Sequence, residues 1–129
     1  MTDTRDFDLA DVLSITTGRL LSHDGMGGVY RILNHLTGDD LMTHQLPRAA
    51  ETCRPALRAQ HPFLTDLQPP AEDVPLDQLM AWLAQAERDH GYTLPVTPLA
   101  AWEHRNPIAE LVDMVGPERV AVVVVDEER

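Results

Sequence analysis

The residues of this chain that could carry chemistry gather between Thr16 and Arg48. Polar side chains interrupt apolar helical spacing there, at Thr17-Gly18-Arg19, from Asn34 to Asp40, at Thr43-His44-Gln45 and at Arg48. Arg19, Asn34, Thr37, Asp39, His44, Gln45 and Arg48 supply enough donors and acceptors to line a small polar ligand pocket. The alternative is a hydrogen-bond network that braces a loop. Asn34 sits beside the apolar stripe Val29, Ile32, Leu33 and Leu36, where an unpaired amide costs free energy. It therefore needs partners, and the nearest supply is the loop around His44, so Asn34, His44 and Arg48 are expected close together.

The other reactive side chains make no recognisable catalytic constellation, and no catalytic residue is assigned. Six histidines are present (His23, His35, His44, His61, His90 and His104), but no two are four apart, the spacing that puts two imidazoles on one helix face. No metal site and no cofactor are expected. His23-Asp24 falls in a glycine-rich turn. Gly25-x-Gly27-Gly28 before a helix has the form of a phosphate cradle, yet it lacks the preceding strand and the Lys-Ser/Thr of a P-loop, so a hinge is the plainer reading. Cys53 on an alanine-rich face reads as inert packing. Arg48, Arg54 and Arg58 form a basic ridge that either pairs with Asp39, Asp40 or Glu51 or receives an anionic partner.

The elements that would position these residues are legible from caps and periodicity. A first helix starts after Asp8, read as its cap, and stops at Gly18; a second runs from Met26 or Gly27 to Thr37 and stops at Gly38. Asp39 to Met42 would form a short helical turn. Pro47 suits the first turn of a third helix, in which Pro55 predicts a kink or a break, with a stop at His61-Pro62. Residues 63–74, with Pro69-Pro70, read as an extended linker. The fourth helix follows Pro75 with Leu76, Leu79, Met80 and Leu83 facing in, and ends at Gly91. Asn106 caps a fifth helix with Ile108, Leu111, Val112 and Val115 facing in. Strands are expected at Thr93–Thr97 and over the β-branched run Val120–Val125, parallel by the crossover rule. The fold class is thus α+β and mainly helical, about five helices with a small two-stranded sheet near the C-terminus. One domain over residues 1–129 is expected: a helical part 8–62, a linker 63–74 and a mixed part 75–125.

Composition narrows the function classes. Aromatic content is only 5%, so Leu, Val, Ala and Met must build the core. One cysteine allows no internal disulfide. No apolar stretch is long enough to span a membrane, and the first residues have neither the basic nor the apolar part of a secretion signal, which predicts a cytoplasmic protein. The net charge is −11, with no lysine at all. Residues 1–65 carry eight acids against six arginines, whereas residues 66–129 carry thirteen acids against four. So acidic a second half argues against direct nucleic-acid binding and for a partner with a basic surface, with Glu72, Asp73 and Asp77 as contact candidates.

Several stretches are similar to a family of small, uncharacterised proteins encoded by bacteriophages and prophages. They are Thr17-Gly18-Arg19-Leu20, Gly28-Val29-Tyr30-x-Ile32-Leu33-Asn34-x-x-Thr37-Gly38-Asp39, Thr43-His44-Gln45-Leu46-Pro47-Arg48-Ala49, His61-Pro62 and Asn106-Pro107-Ile108-x-Glu110-Leu111. The resemblance implies a mobile-element origin and a bacterial cytoplasm; it supplies no activity or site residue. The first expectation is then a small acidic protein that binds and modulates or inhibits a host protein, as anti-CRISPR and other anti-defence proteins do. A ligand-binding protein or enzyme using residues 34–48 is the second. A structural or assembly accessory protein that self-associates through its helices is the third.

Overall fold

Helix α1, Leu9–Thr17, is buried from Leu9 through Thr16 without an exposed face, and the other elements are arranged around it. The computed structural model describes residues 3–116. Strand β1 (Arg5–Asp8) leads into α1; α2 (Met26–Thr37), α3 (Leu46–Gln60) and α4 (Leu76–His90) follow, then strand β2 (Thr93–Val96) and α5 (Pro107–Val115). Short 3-10 turns at Thr43–Gln45 and Pro62–Thr65 flank α3. The fold is α+β and mainly helical, with five helices and a two-stranded sheet among the described residues. Gly18 and Gly38 close α1 and α2 in left-handed conformation (φ 75° and 71°), where a Cβ would be strained. None of the described helices is long and apolar enough to cross a membrane.

The core draws on α1 (Leu9, Val12, Leu13), α2 (Ile32, Leu33, Leu36), α3 (Ala49, Cys53, Leu57) and α4 (Leu79, Leu83, Ala86), with Leu94 and Val96 of β2. Ser14, inside α1, is satisfied within this core: its hydroxyl donates to Ala10 O at 2.9 Å and accepts from Leu21 N and Ser22 N, both at 2.9 Å. The buried Asp11 accepts from the Ser22 hydroxyl. Gly28 packs against this pair, and a methyl group there would run into both Ser22 and Asp11. Gly28 is therefore a close-approach residue, which neither the cradle nor the hinge reading anticipates.

Several expectations change. β2 forms where expected, but its partner is β1, antiparallel, with Phe7 opposite Leu94 and Asp8 opposite Thr93. The Val120–Val125 strand and its parallel pairing lie outside the described residues. The free edge of β2 is covered by side chains: His61 Nε2 donates to Pro95 O at 2.6 Å, His35 Nε2 to Val96 O at 2.8 Å, and Gln60 exchanges two bonds with Thr97. Asp8 stands at the start of α1 but makes no side-chain capping bond. Asp39 to Met42 are not helical; the turn begins at Thr43. Pro55 leaves α3 unbroken. It and Glu51, whose carbonyl loses its helical donor, are both exposed, so water can satisfy that carbonyl.

On α4, Leu79 and Leu83 face in as expected, whereas Leu76 (71%) and Met80 (38%) are exposed. Ala86 takes the inner position instead, which rotates the buried stripe away from the helix start. On α5, Ile108 (56% exposed) and Val115 face out, Leu111 and Val112 are half-buried, and the buried residue is Glu110. Asn106 does cap α5, accepting from Ile108 N at 3.0 Å and Ala109 N at 3.2 Å.

Replacing Gly28 by Ala forces the Ser22–Asp11 pair apart inside a packed region, and should cost about 1–3 kcal/mol in urea unfolding. Gly27→Ala is the control, because nothing but the Arg31 side chain comes near there. Equal stability of the two variants would contradict the packing described.

Candidate functional site

The seven polar candidates separate into two groups by what they bind. Asp39, His44, Gln45 and Arg48 hold the segment 102–110 against the body of the protein. The other three hold the chain elsewhere, Asn34 and Thr37 in the turn after α2 and Arg19 on the distant carbonyl of Pro70.

Arg48, at the start of α3, grips Glu110 of α5 with two parallel bonds of 2.9 Å, from Nε to Oε2 and from Nη2 to Oε1. Its third nitrogen, Nη1, donates to Glu103 O at 3.0 Å, and its guanidinium lies 4.3 Å from the centre of the Trp102 ring. Gln45 is buried beside them: Nε2 donates to Glu110 Oε1 and to Arg105 O, both at 3.2 Å, while Oε1 accepts from Met42 N. His44 Nε2 donates to Pro107 O at 2.7 Å. Asp39 completes the clamp, its Oδ2 accepting from Trp102 Nε1 at 3.1 Å and His104 Nδ1 at 2.7 Å. A bidentate arginine–carboxylate pair stacked on an aromatic ring is a strong and directional arrangement.

The electrostatics agree with that geometry. The bonds from Arg48 hold the Glu110 carboxyl below its ordinary value against the opposing effect of burial, helped by Gln45. Burial pushes the Asp39 carboxyl up, but the bonds from His104, Trp102 and Asp40 outweigh it and leave it lowered. Glu110 in turn raises Arg48. These are charged groups already matched to one another.

Asn34 does not join this clamp. Its Oδ1 accepts from Leu41 N at 3.0 Å, which turns the chain after α2, while His44 and Arg48 bond to Pro107, Glu103 and Glu110. Thr37 donates to Leu33 O and accepts from Asp39 N. Arg19 Nη1 donates to Pro70 O at 2.7 Å. Nor do the candidates share one cavity. Asn34 and Asp39 line an open cleft of about 690 Å³ with Asp8, Asp11 and Arg31, whereas Arg19 and Arg48 line another of about 710 Å³ with Leu20, Met26 and Leu46.

The histidines act as tethers: His23 to Glu87, His35 and His61 to β2, His44 to Pro107 and His104 to Asp39, while His90 stacks on Phe63 at 4.1 Å. Among the described residues no group of three or more His, Cys, Asp or Glu is placed to hold a metal ion. Cys53 is fully buried and burial pushes its thiol up to about 12, so it stays protonated and inert. Glu72, Asp73 and Asp77 are exposed, and none makes an ion pair among the described residues.

Trp102, Glu103, His104 and Glu110 are the residues that sequence reasoning missed. The sequence offers the arginine ridge Asp39, Asp40 or Glu51 as partners; the structure gives Arg48 to Glu110, 62 residues away. The only local signal is Asn106-Pro107, which places Glu110 in the first turn of a capped helix without naming its partner.

Residues 7–67 match the family model of a domain of unknown function, DUF7736. That stretch carries Asp39, His44, Gln45 and Arg48 but not the segment they clamp. No curated protein and no solved structure matches the chain.

Because Glu110 and Asp39 are held below the ordinary carboxylate value, about 4, they bind fewer protons in the folded than in the unfolded chain. Their stabilisation is complete above that value and is lost as the pH falls through their lower folded values. Glu110→Gln should cost about 1–3 kcal/mol at neutral pH. It should also flatten the loss of stability on acidification below about pH 4. Urea unfolding at pH 7 and across the acid range checks both; an unchanged acid profile would contradict the clamp.

Proposed function

We propose that this protein works by binding another protein that presents a basic surface, through the acidic face where segment 72–80 enters α4. The observation that carries the reading is the pattern of exposure there. Glu72, Asp73 and Asp77 stand in solvent within a few residues of Leu76 and Met80, two large apolar side chains that the fold leaves exposed. Apolar anchors inside a charged rim are the usual anatomy of a protein interface. The net charge of −11 supports attraction to a basic partner and disfavours contact with phosphate backbones. The commitment of Asp39, His44, Gln45 and Arg48 to the clamp supports binding over catalysis at residues 34–48. On the resemblance to phage and prophage proteins, the partner is a host protein that this chain modulates or inhibits, in the manner of an anti-CRISPR or other anti-defence protein acting in the bacterial cytoplasm.

Charge-led association is fast and weakens as salt screens exposed charges, over about 10 Å at 0.1 M. Replacing Glu72, Asp73 and Asp77 together by Arg should leave the far-ultraviolet circular dichroism unchanged, since exposed substitutions cost little stability. Association with a partner captured from bacterial lysate should slow by about tenfold or more. A triple variant that associates at the wild-type rate would remove this face from the account.

A further inference from the structure

The end of α1 meets a cleft whose positive charge is not used up by the fold. It measures about 340 Å³ and lies between the last turn of α1, Arg58 of α3 and the segment from Leu67 to Glu72. Arg19 and Arg58 both line it, and among the described residues neither reaches a carboxylate, in a chain where acids outnumber basic residues two to one. Backbone carbonyls hold them instead: Arg19 Nη1 donates to Pro70 O at 2.7 Å and Arg58 Nη2 to Thr16 O at 3.1 Å. Each guanidinium has five N–H groups, so most of its donating capacity is left over.

A second observation falls on the same wall. Thr16 is 4% exposed, and its hydroxyl and the Nε of Arg58 are the two buried side-chain polar atoms without a hydrogen-bond partner among the described residues. Buried polar atoms are normally paired, and here both exceptions belong to residues of one cleft. We propose that this cleft binds a small organic molecule through a phosphate group, with the guanidinium groups of Arg19 and Arg58 as its charged partners.

Phosphate fits better than carboxylate because the donors come from two separate places, beyond the end of α1 and on α3. A tetrahedral oxyanion can turn different oxygens to the two, whereas both oxygens of a carboxylate lie in one plane. The volume is near the lower end for small-molecule sites, about 300 Å³. Two effects oppose the anion. The C-terminal end of α1 carries partial negative charge, but its carbonyls at Ile15 and Thr16 are already bonded by Arg54 and Arg58. Glu72, exposed on the same cleft, repels a phosphate and suits a hydroxyl or ammonium group elsewhere on the ligand. Glu72 belongs to this cleft and to the protein-binding face alike, but a titration with inorganic phosphate needs no protein partner, so the two proposals are tested separately.

The test is thermal unfolding and amide NMR titration of the whole protein with inorganic phosphate, against potassium chloride at matched ionic strength. Phosphate should raise the melting temperature saturably and shift the amides around Thr16–Arg19 and Gln68–Glu72. Arg19→Met and Arg58→Met should each weaken binding by about tenfold or more, and Glu72→Gln should tighten it. If Arg58→Met does not fold, Arg19→Met reads the same contact. No saturable response of the wild type beyond chloride would overturn the proposal. So would wild-type affinity in the arginine variants.

Discussion

A helix buried on every side must find all its hydrogen-bond partners inside the protein, and α1 is such a helix from Leu9 to Thr16. Its polar side chains recruit the rest of the fold. Ser14 collects two backbone N–H groups and so folds the chain back at Leu21 and Ser22. Asp11 takes the Ser22 hydroxyl, which leaves room only for a glycine where α2 passes at Gly28. At the far end of α1 the carbonyls of Ile15 and Thr16 draw Arg54 and Arg58 across from α3. Two of the three ridge arginines, Arg54 and Arg58, are thus first caps for α1, and the surplus donors at Arg58 and Arg19 are what remains for a ligand.

The segment after β2 is attached by another means. It adds little to the core: in α5 the buried residue is Glu110, and Ile108, Met114 and Val115 are exposed. Polar bonds from Asp39, His44, Gln45 and Arg48 hold it, together with Leu99 N donating to Leu36 O at 2.9 Å. Regions fastened by polar contacts with little apolar burial open at lower free energy than the core does. The clamp therefore decides whether residues 102–115 stay docked, and its charges give the docking a dependence on acid pH.

Much of this fold was legible because helix ends are written in residue types with a mechanical cause. Gly18, Gly38, Pro47, Asn106 and Pro107 mark real boundaries. β1 was not legible: Arg-Asp-Phe-Asp has one apolar residue, and it becomes a strand only because β2 lies beside it. Periodicity also failed to orient the ends of helices. Leu76, Met80 and Ile108 fit an inward stripe by spacing, yet they are exposed, Met80 even between the buried Leu79 and Leu83. The clamp was half legible, since the polar residues of 39–48 stand out in sequence while Trp102, Glu103 and Glu110 find them only through the fold. Long-range pairing between charged residues leaves no local spacing to read.

What the account rests on is that α1 is the buried hub whose polar side chains, the Thr16 hydroxyl apart, are satisfied internally. Ser14→Ala tests this most directly, because the methyl fills nearly the same space while two buried N–H groups, at Leu21 and Ser22, lose their acceptor. Urea unfolding should show a loss of about 2–4 kcal/mol, with faster hydrogen exchange at those two amides. A loss under about 0.5 kcal/mol, the range of an ordinary surface change, would contradict it.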